Sequence, residues 1–213
     1  MLFTVAFTLD TFDKAAAEIL PHVDRFSILD DRIPKFISAA GRLTPEIHSI
    51  VAGYVRTAET EGADAVLVTC SSISPCVDTV RPFVSIPVMK VDDPMTDMAV
   101  ERASKIGVIA TAMSTLEPTK NLLLRKAEAR GKMISIKSDL CQGAIEALYS
   151  NDTTKHDELV LEGIRRIARQ VDLVVLAQAS MARVVPRIGE EVTVPILTSI
   201  RSGVDQVRKV LAV

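Results

Sequence analysis

The stretch ADAVLVTCSSISP, residues 63–75, decides the fold class of this chain. Its run Ala65–Thr69 consists of small and β-branched residues, with no alternation between polar and apolar positions. Such a run predicts a strand that is buried on both faces, as in a parallel sheet. The hydroxyl side chains and the proline that follow are typical of a helix start. The stretch therefore predicts a parallel β-strand, a turn that begins at Cys70, and a helix.

Cys70 lies where the predicted strand ends and the predicted helix begins, a position at which a functional thiol is more expected than a packed one. Open α/β sheets bind ligands at the carboxyl ends of their strands, and the free N–H groups of a helix start attract anions. The same field favours a thiolate, which makes the side chain usable as a base or a nucleophile. The alternative is that Cys70 is a small buried hydrophobic residue. For Cys76 and Cys141 we expect core packing and helix-start packing, respectively.

The same segment occurs twice in the chain, displaced by 108 residues. GADAVLVTCSS matches QVDLVVLAQAS, and SIPVMKV matches TVPILTS, so Cys70 corresponds to Gln178. A weaker match relates Val5–Thr8 to Val108–Thr111. An internal repeat constrains the whole fold, and each copy has the size of a small domain. The alternative is a chance agreement between hydrophobic strands. The repeat predicts two pseudo-symmetric α/β lobes, each a parallel sheet flanked by helices, with the active site in the cleft between them.

Strand-like and helix-like stretches alternate along the chain, which implies parallel sheets with right-handed crossovers. The first lobe is expected to comprise residues 1–93 and 200–213, and the second lobe residues 94–199. Predicted strands lie near 2–8, 25–29, 64–69, 86–90, 106–110, 133–137, 172–177 and 194–198. Predicted helices lie near 11–20, 44–61, 75–83, 94–103, 115–129, 141–149, 155–170 and 202–212.

Composition narrows the function classes. The net charge is −2, and the lysines and arginines form no cluster, so we expect no nucleic-acid partner and no anionic membrane surface as a partner. The apolar runs are too short to cross a membrane. Three cysteines without metal-like spacing suit a reducing cytoplasm. No nucleotide-binding glycine motif and no histidine–carboxylate set is present, so we expect neither a cofactor nor a metal.

These residues and motifs resemble the aspartate/glutamate racemase superfamily, which includes hydantoin racemases, maleate isomerases and arylmalonate decarboxylases. The resemblance covers nearly the full length. The first motif of those racemases typically reads Cys-Asn-Thr, and here it is Cys70-Ser71-Ser72. A turn similar to their Gly-Thr-x-x-Thr spans Ala110–Ser114. The resemblance implies that a substrate carboxylate is bound by hydroxyls and amides of Ser71, Ser72, Thr111, Ser114, Thr115, Ala179 and Ser180. Any one of these hydroxyls could instead serve only as a helix cap.

The chain also departs from the racemase pattern. Two-base racemases carry Leu-Gly-Cys in the second lobe, where this chain has Leu176-Ala177-Gln178. Where glutamate racemases often place an acidic residue after the first strand, this chain has Thr8, with Asp10 two positions later. A symmetrical racemase needs an ionisable group on each side of the carbon. An amide cannot exchange a proton at neutral pH, so a two-cysteine mechanism is not expected here.

The predicted catalytic residues are therefore Cys70, as acid/base or nucleophile, and Gln178, as a hydrogen-bonding partner of a carboxylate or enolate. Thr8 and Asp10 join the predicted substrate-binding residues. The resemblance implies a cofactor-independent isomerase that acts on a small carboxylate or a hydantoin-like cyclic amide, and a homo-oligomeric state is expected. The alternatives are a decarboxylase that uses the same cysteine and a carboxylate-binding protein that has lost turnover. His156 is expected at a solvated helix start and Lys90 at the surface, whereas Asp92 could reach the cleft.

Overall fold

The computed structural model describes all residues 1–213, which divide into two compact units. The first unit comprises Met1–Pro94 with Ile200–Val213, and the second comprises Met95–Ser199. Each unit contains one four-stranded sheet, all strands of both sheets are parallel, and helices flank them. The predicted α/β class with parallel sheets is thus confirmed. No helix has the length and apolar character needed to span a bilayer.

The first unit has the strand order β2-β1-β3-β4. Its strands are β1 (Leu2–Phe3), β2 (Ile28–Leu29), β3 (Val66–Val68) and β4 (Val88–Lys90). Its α-helices are α1 (Leu9–Ile19), α2 (Ile33–Ala40), α3 (Pro45–Thr60), α4 (Ser74–Val80) and α9 (Ile200–Leu211), and α5 (Asp93–Arg102) begins at its edge. Short 3₁₀ segments occupy Ala6–Thr8, Ser71–Ile73 and Arg81–Phe83. Helices α3 and α4 pack against β3 through Val51, Val55 and Val77, all fully buried.

The second unit has the order β6-β5-β7-β8, which is the same topology as in the first unit. Its strands are β5 (Lys105–Ala110), β6 (Ser135–Leu140), β7 (Leu173–Leu176) and β8 (Ile196–Leu197). Its further α-helices are α6 (Met113–Ala129), α7 (Ala144–Tyr149) and α8 (Thr153–Ala168), and a 3₁₀ segment spans Ala179–Arg187. The central strands β5 and β7 are buried on both faces, as their apolar runs require.

The 108-residue repeat extends to individual backbone hydrogen bonds. Val66 N donates to Pro87 O and Val174 N to Pro195 O, each at 2.9 Å. After the third strand of each unit, Ile73 N donates to Cys70 O and Met181 N to Gln178 O, each at 3.1 Å. These pairs match at the sequence displacement, so the two units share one local backbone design around the turns that follow β3 and β7.

The structure differs from the sequence prediction near the amino terminus. Strand β1 ends at Phe3, although a strand was predicted over residues 2–8, and Ala6–Thr8 is a 3₁₀ turn that leads into α1. The weaker match of Val5–Thr8 to Val108–Thr111 therefore does not extend the repeat to a common strand. Helix α2 was not predicted, although its Pro34 lies in the first helical turn, where a proline is well tolerated.

A glycine allows α9 to lie against the carboxyl end of β4. A Cβ on Gly203 would lie 2.8 Å from Val91 Cγ2 and 3.0 Å from the Val91 carbonyl oxygen. A side chain at this position would force Val91 to shift, so the glycine favours the close approach. The contact holds the end of β4, and with it Asp92, in a closely packed setting.

Candidate functional site

The turn that carries Cys70 is built on the edge where β3 ends. Thr69 extends the pairing with β1, since its N–H and its hydroxyl donate to Leu2 O at 3.0 and 2.9 Å. Cys70 then takes an extended conformation, with φ −118° and ψ 118°, and the 3₁₀ segment begins at Ser71. The Cys70 side chain is half-buried and its thiol is free of any disulfide. The structure therefore places the thiol where the sequence predicted it, after a strand and before a helical segment.

Helix α4, which follows the Cys70 turn, is fastened to β4 by buried polar side chains. Ser74 Oγ donates to Asp92 Oδ1 at 2.8 Å, and Asp92 is only 1% exposed. Burial raises the pKa of the Asp92 carboxyl to about 6. At the next turn of the helix, Lys90 Nζ donates to Asp78 Oδ2 at 2.6 Å. These contacts fix the helix relative to the strand and so limit the freedom of the preceding turn.

Lys90 was predicted to be a surface charge, and that prediction is wrong. Its side chain is 5% exposed, whereas that of its partner Asp78 is 51% exposed. A buried ammonium group needs a paired charge, and Asp78 provides it. The alternation of a β-strand would point Lys90 toward one face of the sheet, but nothing in the sequence shows that α4 covers that face.

The turn that carries Gln178 repeats the backbone of the Cys70 turn with different side chains. Gln178 is extended, with φ −128° and ψ 138°, and a 3₁₀ segment follows it directly. Gln178, Ala179 and Ser180 are all half-buried. The amide of Gln178 thus occupies, in the second unit, the position that the thiol of Cys70 occupies in the first.

Thr111 and Gln178 are brought together at the carboxyl edge of the second sheet. Gln178 Oε1 accepts the Thr111 N–H at 2.6 Å and the Thr111 hydroxyl at 2.9 Å. Because a backbone N–H can only donate, these contacts identify the Gln178 oxygen and turn its NH₂ group away from Thr111. The hydroxyl of Thr111, which was predicted to bind substrate, therefore holds Gln178 in the structure.

The other predicted binding residues lie at the starts of the segments that follow the strands. Ser71 is buried and Ser72 half-buried in the turn after Cys70, while Ser114 and Thr115 lie in the first turn of α6. The Thr115 N–H donates to Ala112 O at 3.1 Å, which is a helix-start contact. These residues stand at the strand ends of their own units, as the sequence predicted.

Thr8 and Asp10 have local partners. The buried Thr8 hydroxyl donates to Val5 O at 3.2 Å. Asp10 lies in the first turn of α1, where its side chain is 78% exposed and pairs with Lys14 at 2.7 Å. The Thr8 hydroxyl thus closes a 3₁₀ turn, and Asp10 and Lys14 form a solvated pair one helical turn apart.

Sequence reasoning missed a buried charge cluster at the start of α8. His156 was expected to be solvated, but it is fully buried, and its Nδ1 lies 3.0 Å from Asp157 Oδ1. Because a carboxylate only accepts, Nδ1 carries the proton. Asp157 also receives Arg183 and Arg187 from the 3₁₀ segment that follows Gln178. The contacts join positions 26 and 30 residues apart, so no local pattern reveals them.

Cys76 and Cys141 are both buried, at 1% and 3% exposure. Burial raises the pKa of each thiol to about 12, which disfavours the thiolate. Cys70 is thus the most exposed of the three cysteines. No group of three or more His, Cys, Asp or Glu side chains is arranged to hold a metal ion.

The fold and the two turns define the class of this protein. It is a duplicated α/β protein with a polar turn after the third strand of each unit. A model of one protein family matches residues 4–207, and its description is Asp/Glu/hydantoin racemase. The chain belongs to this family, and the resemblance drawn from the sequence is confirmed. Membership supports an enzyme of the racemase or isomerase type. Comparison with functionally curated proteins finds no match.

Solved racemase structures share the fold. A glutamate racemase from Bacillus anthracis aligns with a TM-score of 0.76 and 19% identity, covering 99% of this chain and 80% of that one. An allantoin racemase from Klebsiella pneumoniae gives 0.68 and 15%, with 99% and 86% covered. An aspartate racemase from Picrophilus torridus gives 0.70 and 16%, with 98% and 91% covered. At these identities the similarity concerns the fold.

Proposed function

We propose that this protein is a cofactor-independent isomerase of the racemase type that acts on a small carboxylate or a hydantoin-like cyclic amide. The observation that carries the proposal is the position of Cys70, a free and half-buried thiol directly after β3 in a member of the racemase family. The names of the structural neighbours, which are glutamate, aspartate and allantoin racemases, supply the substrate classes.

In the proposed reaction, Cys70 exchanges a proton with a carbon next to a carboxylate or carbonyl. The thiolate takes the proton, and the electron pair moves into the carbonyl group as an enolate. When the thiol returns a proton to the same face, the result is exchange without inversion. Slow protonation by water on the opposite face gives the isomer, and the hydroxide formed takes the proton from the thiol. With an unsaturated diacid, the same thiolate would add to the double bond and leave after rotation. Both routes require an unprotonated sulfur that substrate can reach, and Cys76 and Cys141 are too deeply buried to provide one.

Gln178 is proposed as the hydrogen-bond donor to the carboxylate or the developing enolate. Its oxygen is already occupied by the N–H and the hydroxyl of Thr111, so the NH₂ group is the part of the amide that remains for a ligand. Donors held in place before the reaction stabilise developing negative charge without reorganisation. Because the pairing of Cys70 with Gln178 rests on the 108-residue repeat, it is part of the proposal.

Other features of the proposal follow from composition and family. The three cysteines are free, which suits a reducing compartment such as the cytoplasm. A homo-oligomer is proposed on the general grounds that symmetric assembly is common among such enzymes. Chemistry of this kind needs no bound cofactor, since the thiol and the hydrogen-bond donors belong to the chain itself.

The test is deuterium exchange in heavy water, followed by proton NMR. The panel consists of both enantiomers of aspartate and glutamate, allantoin, 5-substituted hydantoins and maleate. For at least one compound, wild-type protein should exchange the proton next to the carboxyl or amide carbonyl, or should isomerise the double bond. Cys70→Ala should lower that rate by about 10²–10⁴-fold. Cys76→Ala is the matched control and should retain the rate, since Cys76 packs in the core. Full activity in Cys70→Ala would contradict the proposal.

A further inference from the structure

A buried threonine follows the first strand of each unit. Thr4 comes directly after β1 and Thr111 directly after β5, and they are 1% and 4% exposed. The next residue is extended in both units, with φ −144° and ψ 134° at Val5 and φ −142° and ψ 141° at Ala112. A helical segment begins after each of these residues. Thr4, rather than Thr8, is therefore the counterpart of Thr111 in the first unit.

Thr4 lies beside Cys70 at the carboxyl edge of the first sheet. Leu2 pairs with Val68 in parallel register, and the Thr69 N–H continues this pairing by donating to Leu2 O at 3.0 Å. Thr4 and Cys70 each follow two residues after the paired positions. Residues two apart along a strand point to the same face, and Leu2, Val68 and Cys70 all pack in one core cluster. The side chains of Thr4 and Cys70 are thus neighbours on that face.

The second unit shows what a threonine in this position can bind. Ile109 pairs with Leu176, and Thr111 and Gln178 follow two residues later. There the Thr111 hydroxyl donates to Gln178 Oε1 at 2.9 Å, and the Thr111 N–H donates to the same oxygen at 2.6 Å. The threonine after the first strand therefore binds an oxygen acceptor that lies beside the residue ending the third strand.

In the first unit, no protein group accepts the corresponding hydrogen bond. Thr4 Oγ1 is buried and has no hydrogen-bond partner. Cys70 cannot replace Gln178 in this respect, because its side chain is shorter and carries no oxygen. Buried hydroxyls are nearly always hydrogen-bonded, so one that is not requires an explanation. A ligand oxygen beside Cys70 provides one.

Asp30, the neighbour on the other side of Thr4, is committed to other donors. Its N–H donates to Phe3 O at 3.1 Å, which continues the pairing of β2 with β1. Its carboxylate accepts two hydrogen bonds from the Arg32 guanidinium, each at 2.9 Å, and one from the Tyr54 hydroxyl at 2.6 Å. Cys70 is thus the neighbour of Thr4 at which a ligand oxygen can be received.

We propose that Thr4 is a catalytic residue whose hydroxyl donates a hydrogen bond to the substrate oxygen next to the reacting carbon. This carbonyl or carboxylate oxygen takes beside Thr4 the place that Gln178 Oε1 takes beside Thr111. When Cys70 removes the proton, the electron pair moves onto this oxygen, and the hydrogen bond strengthens as negative charge develops. The inference rests on the proposed function, in which Cys70 exchanges that proton.

The experiment compares two neutral alkylating reagents on the full chain, with Cys70 as the reporter. Iodoacetamide carries a carbonyl oxygen next to the carbon that the sulfur attacks, whereas allyl iodide has no hydrogen-bond acceptor there. Mass spectrometry of the Cys70 peptide gives both rates. Their ratio cancels any general change in the reactivity of the thiol. Wild-type Cys70 should favour iodoacetamide over allyl iodide more strongly than free cysteine does.

Thr4→Val should lower the ratio about three- to tenfold, because one hydrogen bond to the carbonyl oxygen is lost. The allyl iodide rate should stay at the wild-type value. Thr4→Ser keeps the hydroxyl and should keep the ratio. Thr4→Ala lacks the hydroxyl and repeats the comparison with a smaller side chain, and circular dichroism checks that each variant keeps its fold.

Thr69→Val is the matched control. Thr69 directly precedes Cys70 and is 5% exposed, but its hydroxyl donates to Leu2 O at 2.9 Å. Its loss should leave the ratio unchanged. The inference is overturned if wild-type Cys70 shows no preference for iodoacetamide beyond that of free cysteine, if Thr4→Val keeps the wild-type ratio, or if Thr69→Val lowers it equally. Since alkylation requires no turnover, these outcomes are distinct from a failure of Cys70-dependent exchange, which would overturn the proposed function alone.

Discussion

The turns after β3 and β7 share a backbone and differ in nearly every side chain. Both begin with an extended residue followed by a 3₁₀ segment, and in both the carbonyl of that residue accepts an N–H at 3.1 Å. The first turn presents the thiol of Cys70, and the second presents the amide of Gln178. Backbone hydrogen bonds tolerate any side chain, so a duplicated fold can keep its geometry while the chemistry of its two halves diverges.

The supports behind the two turns also differ. In the first unit, the neutral hydroxyl of Ser74 donates to the buried carboxyl of Asp92. In the second unit, Asp157 binds two arginines, and Thr111 holds the amide oxygen of Gln178. The support of the first turn is therefore a hydroxyl–carboxyl hydrogen bond, whereas that of the second includes two arginines paired with one carboxylate. The following predictions test this difference between the two turns.

The largest effect is expected when the turn after β7 is given a thiol like that of the turn after β3. Gln178→Cys supplies a second acid/base group, and general acid–base catalysis contributes about 10²–10⁴-fold. The variant should racemise a substrate for which wild-type protein exchanges a proton on one face only. Optical rotation and deuterium incorporation in heavy water measure both properties. Gln178→Ala, which lacks the thiol, should not racemise. Rapid racemisation by wild-type protein would show that another residue already serves as a second base.

Removing the support of each turn should show that the ion pairs of Asp157 contribute more stability than the hydrogen bond between Ser74 and Asp92. Asp157→Ala leaves two arginines and the buried His156 Nδ1–H without their acceptor, which should lower the free energy of unfolding by about 3–5 kcal/mol. Ser74→Ala removes one hydrogen bond to Asp92 and should cost about 1–3 kcal/mol. Urea unfolding of both variants measures the difference. If the two variants lost the same free energy of unfolding, the expected difference between the two supports would be wrong.

The buried carboxyl of the first unit should make stability depend on pH. The pKa of Asp92 rises from 3.8 to about 6 on folding, so the folded state binds this proton more tightly than the unfolded state. Its contribution to stability is therefore present below pH 4 and is lost as pH rises through 6. Relative to wild type, Asp92→Asn should become more stable between pH 4 and 7, by up to about 3 kcal/mol. A difference in melting temperature that stays constant over this range would refute the prediction.

The smallest effect is expected at Asp10. Its side chain is 78% exposed and pairs with Lys14 one turn along α1, and such pairs contribute about 0.2–0.5 kcal/mol. Asp10→Asn should therefore change the free energy of unfolding by no more than this. Deuterium exchange of the same variant tests whether Asp10 also binds substrate. A loss of exchange with unchanged stability would establish the binding role, and unchanged exchange would exclude it.

Most of the architecture was predictable because it depends on local patterns. The apolar run Leu173–Leu176 indicates the buried strand β7. Thr44 with Pro45 marks the start of α3, where the Thr44 side chain accepts the Ile47 N–H. The repeat added the correspondence between Cys70 and Gln178, which the shared backbone contacts support. Helix α2 was missed, and the first strand was predicted too long, because a few residues of mixed pattern do not distinguish a strand from a helical turn.

The partners of the site residues were not predictable in the same way. Lys90, His156 and Asp157 are polar residues that any sequence pattern assigns to the surface, and all three are buried. Their partners lie on other elements: Asp78 on α4 for Lys90, and the arginines of the 3₁₀ segment for Asp157. Such contacts depend on which helix covers which face, and that is decided by packing over the whole unit.

Sequence patterns alone were enough to establish the class of fold, the duplication, the position of Cys70 after a strand and the resemblance to a racemase family. These features rest on hydrophobic periodicity and on motifs within short stretches of chain. Three contacts became known only from the folded chain: Thr111 binds the oxygen of Gln178, Asp92 is buried against Ser74, and Asp157 pairs with two arginines. Each of those contacts joins residues that are 18 or more positions apart, and the burial that strengthens them exists only once the sheets and helices have packed.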